Sequence, residues 1–225
     1  MKHRKIKAVL FDYNGTLFPD DDINAEAWKA TIEELSGGRI DAAAFYDEFI
    51  GVRNYPFVEE VFRQLNLPLE EEKIMYWALR KETQYYQKIC RASGRYGMLP
   101  GAEELLNRLK EERIPINMCT ASLAVNVDFY FDYLKMERWF DRDRVVYDDG
   151  ISYDKKDMYL EGARRMGVDI ADCLVFDDSP ASIRKAAEAG CENIVIIRKD
   201  NNPNLPQIRQ RIRDFNEFDY RLLEE

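Results

Sequence analysis

The feature that most narrows the possible folds is an alternation of short apolar runs with amphipathic stretches. Five runs read as strands: Ile6 to Phe11, Ile114 to Cys119, Arg144 to Tyr147, Cys173 to Phe176 and Asn193 to Ile197. Between the later ones lie helical patterns. Gly101 to Glu112 carries Leu105, Leu106 and Leu109 on one face, and Leu123 to Lys135, Lys156 to Met166 and Pro180 to Ala189 follow. Gly167 and Gly190 stand where two of these helices should stop. Parallel strands need a crossover between them, usually a helix. The expected fold class is therefore α/β, with a doubly wound parallel, Rossmann-like sheet.

The stretch from Phe18 to Arg95 breaks that rhythm. It reads as successive helices, Asn24 to Ser36, Asp41 to Ile50, Pro56 to Leu65 and Leu69 to Ala92, parted by Gly37-Gly38, Gly51 to Tyr55 and Asn66-Leu67-Pro68. This predicts a catalytic core of residues 1–17 and 96–225 and an inserted all-helical cap domain of residues 18–95. Pro19 and the Gly94 to Pro100 stretch would be the linkers. The tail from Asn201 on, with Pro203 and Pro206, is expected to add one polar helix.

Composition removes several function classes. With 225 residues, 46% of them hydrophobic, the chain can build one substantial core plus a small module. A net charge of −9 argues against nucleic-acid or anionic-membrane partners. No apolar run is long enough for a membrane span, and the basic start runs into too few apolar residues for a signal peptide. A cytoplasmic protein, monomer or homodimer, is expected. Cys90, Cys119, Cys173 and Cys191 form no CxxC pair, which argues against a disulfide framework or a zinc site. The single histidine, His3, is too near the terminus for a Ser-His-Asp or Cys-His system.

In an open α/β sheet, ligands bind beyond the carboxyl ends of the strands. The residues expected there are Asp12-Tyr13-Asn14-Gly15-Thr16, Thr120-Ala121-Ser122 and Asp177-Asp178-Ser179, with Lys155-Lys156 nearby. Carboxylates, a hydroxyl and a lysine suit phosphoryl transfer. A carboxylate can attack phosphorus. A hard cation held by carboxylates offsets the repulsion between anions, and a lysine with hydroxyl or backbone donors can hold the remaining phosphate oxygens. Taken singly, each feature has a plainer meaning. Asn14-Gly15 is a turn pair, Asp177-Asp178-Ser179 a helix N-cap, Lys155-Lys156 a solvated pair, and Asp20-Asp21-Asp22 an exposed hinge run.

Together these motifs resemble the haloacid dehalogenase superfamily, in the branch with a helical cap after the first motif. Asp12 to Thr16 matches its DxDGT pattern, Ile116 to Thr120 its second motif, and Val175 to Ser179 its acidic fourth motif. Asp12 to Ala30, Gly51-Val52-Arg53 and Asp177-Asp178-Ser179 are similar to β-phosphoglucomutases. The resemblance implies a magnesium-dependent hydrolase of a small phosphorylated metabolite. Asp12 would be nucleophile and metal ligand, Asn14 would give its backbone carbonyl to magnesium, and Asp178 with Asp177 would complete the site. Thr120 would bind a phosphate oxygen, as would Lys155, with Lys156 as the alternative lysine; Ser122 and Arg53 would bind substrate.

One departure matters. The second Asp of DxDGT, the family's general acid and base, is Asn14 here. An amide does neither job, so a weakened enzyme, or a protein that binds phospho-ligands for regulation, is an alternative, as is a mutase-like or dehalogenase-like reaction.

Overall fold

The computed structural model describes residues 5–94, 97–148, 154–197 and 203–224. Arg95 and Tyr96 of the expected linker, and Asn201 and Asn202 at the start of the tail, lie outside them. The described residues fall into two compact units, one within Met1–Pro19, Gly97–Ala124 and Tyr130–Glu225, the other within Asp20–Tyr96 and Val125–Phe129. In chain order the elements are β1 (Ala8–Phe11), α1 (Asp21–Ser36), α2 (Ala42–Glu48), α3 (Asn54–Gln64), α4 (Glu71–Arg80), a π-helical turn (Lys81–Tyr86) and α5 (Gln87–Ser93). Then come α6 (Ala102–Glu111), β2 (Ile116–Leu123), α7 (Ala124–Leu134), β3 (Val146–Asp148), α8 (Lys155–Met166), β4 (Cys173–Asp177), α9 (Pro180–Glu188), β5 (Asn193–Ile197) and β6 (Ile208–Ile212). No helix among the described residues is long and apolar enough to cross a membrane.

The first unit is a six-stranded parallel sheet of order β3-β2-β1-β4-β5-β6. This is the doubly wound arrangement that the alternation predicts. Side chains alternate across a strand. Ala8, Leu10, Cys173, Val175, Ile194 and Ile196 accordingly share one buried cluster with Met158, Tyr159 and Ala163 of α8 and Ile183 and Ala186 of α9. On the alternate positions Phe11 stacks on Phe176, with ring centroids 5.0 Å apart. Phe140 and Phe215 join them at 6.1 and 6.4 Å from Phe11, and Phe218 at 5.2 Å from Phe176.

The tail corrects the expectation of a polar helix. Ile208 to Ile212 is an edge strand parallel to β5, and short 3₁₀ turns carry Phe215 and Leu222 into the core. An edge strand tolerates Arg209, Gln210 and Arg211 because much of it faces water.

The second unit contains α1 to α5 and no strand among the described residues. Trp28 stacks on Phe57 at 4.0 Å, and Phe45 packs edge-on to Phe57 at 5.4 Å. The single helix expected from Leu69 to Ala92 is interrupted. The π-helical turn inserts a residue and turns Lys81, Glu82 and Tyr86 inward. Buried charges need partners. Glu82 receives Asn54 and Asn126, each at 2.6 Å, and Lys81 Nζ at 3.0 Å; Lys81 also donates to Asn24 at 2.6 Å. Asp20 is likewise not the exposed hinge residue expected. It is buried at the N-cap of α1 and accepts the Tyr86 hydroxyl at 2.6 Å, while Asp21 and Asp22 are exposed.

Candidate active site

Strand register builds the centre. β1 lies between β2 and β4, with Phe11 level with Met118 and with Phe176. Asp12, the next residue, donates its backbone N–H to the Phe176 carbonyl at 3.0 Å, so it stands beside Asp177. This is where the strand order reverses, the position that parallel sheets use for ligands. Asp12, Asp177 and Asp178 are all buried, and each offers a carboxylate oxygen within 4.8 Å of the others.

The loop after Asp12 is shaped to that cluster. Gly15 has φ +75°, and a Cβ there would sit 2.6 Å from Asp178 Oδ2. Glycine alone gives both the left-handed backbone and the clearance. Thr16 Oγ1 donates to Asp178 Oδ1 at 3.2 Å.

Lys155, at the start of α8, reaches into the same place. Its ammonium is 2.5 Å from Asp12 Oδ1, 3.6 Å from Asp177 Oδ2 and 2.8 Å from the Cys119 carbonyl. Burial works against its charge, but the Asp12 and Asp177 carboxylates outweigh that, and its pKa is raised. Asp177 is pushed up to about 7, first by burial and then by the charge of Asp12, against the pull of Lys155. Tyr159, one turn after Lys155, donates its hydroxyl to Asp177 Oδ2, and the Ser179 backbone N–H donates to Asp177 Oδ1 at 2.7 Å.

Asn14 is held by hydroxyls. Its Nδ2 donates to Tyr130 Oη at 3.1 Å, its Oδ1 accepts Ser122 Oγ at 2.6 Å, and the two hydroxyls are 3.0 Å apart. Tyr130 also reaches Oδ1 at 3.3 Å and stacks on Tyr13 at 3.7 Å. An amide, with one donor side and one acceptor side, fits a ring in which each member gives one proton and takes one.

Of the residues singled out from sequence, the structure brings Asp12, Lys155, Asp177 and Asp178 together, and joins Asn14 to Ser122. Thr120 is buried, with its hydroxyl accepting the Ser122 backbone N–H at 3.1 Å. Lys156 is half-buried in the first turn of α8. Arg53 is exposed at the N-cap of α3, in the helical unit. Sequence reasoning missed Tyr130 and Tyr159 as polar partners. For Tyr159 the four-residue step from Lys155 was the available signal; Tyr130 lies in an aromatic run that looks like plain core.

Three carboxylates face one ammonium, so a cation is the complement this centre asks for. The donors are hard oxygens, buried and convergent, which suits magnesium and not a thiolate- or imidazole-seeking metal.

Comparison with known proteins adds to this. Residues 6–190 match the model of a haloacid dehalogenase-like hydrolase family. The chain is similar to protein CbbY of Rhodobacter capsulatus, 28% identical over 198 residues and 83% of each chain. It is also similar to a probable pseudouridine-5'-phosphatase of Drosophila melanogaster, 23% identical over 94% of this chain and 92% of that one. A solved hydrolase of haloacid dehalogenase family IA from Entamoeba histolytica superposes with a TM-score of 0.84. It is 27% identical and covers 97% of this chain and 98% of that one.

Proposed function

The chain belongs to the haloacid dehalogenase-like hydrolases, and from that premise we propose that it is a magnesium-dependent phosphatase of a small phosphorylated metabolite, working through an aspartyl-phosphate on Asp12. Relatives that carry phosphatase names support the reaction class. The observation that carries the reading is the buried convergence of Asp12, Asp177 and Asp178 with Lys155 Nζ 2.5 Å from Asp12.

Asp12, Asp178 and Asp177, with the Asn14 backbone carbonyl, would hold magnesium, which would supply positive charge against the phosphoryl oxygens. Lys155 binds Asp12 Oδ1, which orients the carboxylate and leaves its other oxygen to attack phosphorus. The bond from phosphorus to the leaving oxygen breaks as the Asp12–phosphorus bond forms. Water then attacks the aspartyl-phosphate, releasing phosphate and restoring Asp12. The Thr120 hydroxyl would offer a donor to a phosphoryl oxygen. Asn14 contributes no proton to the departing oxygen and accepts none from water. Substrates whose leaving groups depart without protonation are therefore favoured.

Phosphate release should vanish both in Asp12→Ala and in excess chelator. Release that survives both treatments contradicts the mechanism.

A second reading is favoured by the hydroxyl ring around Asn14, which fits an amide without adjustment. On that reading the protein binds a phospho-ligand and turns it over slowly. Binding of inorganic phosphate with magnesium, in a chain that releases phosphate from esters only slowly, would support it over the first.

The helical unit is read as the substrate-selecting cap, with Arg53 a clamp for an anionic substrate group. Arg53→Ala should then raise KM about 10-fold, the scale of one charge-assisted contact, with kcat little changed. A fall in kcat with KM constant would contradict a binding role. Four buried free cysteines accord with a reducing, cytoplasmic setting.

A further inference from the structure

The buried face of α8 carries Lys155, Tyr159 and Gly162, spaced four and three residues apart and so on one side of the helix. Gly162 brings that face close to the sheet, since a Cβ there would lie 2.4 Å from Cys119 Sγ and 3.1 Å from Leu10 Cδ2. From this close seat Lys155 engages Asp12 and Tyr159 engages Asp177. Tyr159 is fully buried, and its ring lies 5.4 Å from the Lys155 ammonium. Asp177 is thus gripped from two elements. Tyr159 of α8 donates to Oδ2, and the Ser179 N–H, at the N-cap of α9, donates to Oδ1. Each carboxylate oxygen has two lone pairs. One hydrogen-bond donor on each oxygen, with the Lys155 ammonium a further 3.6 Å from Oδ2, fixes the plane of the carboxylate and still leaves Oδ1 a lone pair for a cation.

We propose that Tyr159 is a positioning residue of the magnesium site, acting through Asp177 by fixing that carboxylate's plane before the cation binds. The proposal rests on the magnesium-dependent reading above, which gives Tyr159 no role. Its consequence is selectivity as well as affinity. Magnesium demands a near-ideal octahedron, whereas calcium accepts loose and variable oxygen ligands. A carboxylate released from Tyr159 serves calcium almost as well as before, and magnesium much less.

The test is calorimetric titration of the full chain, without substrate, with magnesium chloride and with calcium chloride. Tyr159→Phe removes one oxygen and keeps the ring, and Tyr159→Met removes the donor with different packing. Magnesium affinity should fall about 10- to 100-fold in both, the usual scale for losing a partner behind a metal ligand. Calcium affinity should fall less, so the magnesium-to-calcium ratio drops. Unchanged magnesium affinity, or equal losses for both ions, overturns the proposal. Asp178→Asn separates this from failure of the underlying reading. If the wild type binds no magnesium and Asp178→Asn changes nothing, the metal site itself is wrong. If the wild type binds magnesium and only Asp178→Asn weakens it, Tyr159 has no positioning role.

Discussion

At the scale of single residues, Asn14 decides what kind of enzyme this can be. Its carboxamide sits between Tyr130 and Ser122, both able to donate to a carboxylate as readily as to an amide oxygen. Asn14→Asp should therefore fit the same pocket and provide the missing acid and base. Turnover of an alkyl phosphate should rise by about 10² to 10⁴, the usual contribution of general acid–base catalysis. Steady-state rates of both forms on one alkyl ester check this. An unchanged rate would mean that another group already moves the proton, or that the chain binds phosphate without hydrolysing it. The sequence made Asp12, Lys155, Asp177 and Asp178 visible because each stands beside a strand end or opens a helix that the periodicity already locates. It did not reveal Tyr130, whose hydroxyl meets Asn14 across 116 positions of chain. Nor did it reveal that Asp20 is buried, because a run of three aspartates carries no sign of the Tyr86 hydroxyl that compensates one of them.

At the scale of elements, α8 organises the centre, and Gly162 sets its distance from β2. In Gly162→Ala the new methyl group meets Cys119 Sγ. Alanine improves helix propensity by about 1 kcal/mol over glycine, but overpacking a core costs about 1–3 kcal/mol. The two sites should therefore be coupled. Cys119→Ala alone opens a small void, whereas in the Gly162→Ala background it provides the missing room. Denaturant unfolding of the four proteins should show the double variant more stable than the two single losses added. Simple additivity would mean that α8 shifts without strain. The other elements show where local pattern ends. β4 and β5 are legible as apolar runs because both faces are covered. β6 is not, because a partly exposed edge strand carries arginines and glutamine between its two isoleucines. The π-helical turn at Lys81–Tyr86 is equally hidden, since its inward Lys81 and Glu82 follow from partners distant in sequence, Asn24, Asn54 and Asn126.

At the scale of the whole molecule, strand order and register turn scattered motifs into one centre. Residues 12, 155, 177 and 178 meet because β1 lies between β2 and β4 and because α8 follows β3 back across the sheet. The alternation of strands and helices was enough to predict the parallel sheet. After β1 the sequence leaves that rhythm for the run of helices α1 to α5, which clusters in one compact unit with Val125–Phe129 of α7, a pairing that local pattern does not show. The central claim is that Asp12 is phosphorylated during turnover, and trapping tests it most directly. The enzyme is mixed with magnesium and an aryl phosphate, quenched in acid within the first turnovers, digested and analysed by mass spectrometry. A phosphoryl group on Asp12 is expected, formed in a burst ahead of slow phosphate release because Asn14 cannot activate the water. Steady phosphate release with Asp12 unmodified, or undiminished in Asp12→Asn, would contradict the account.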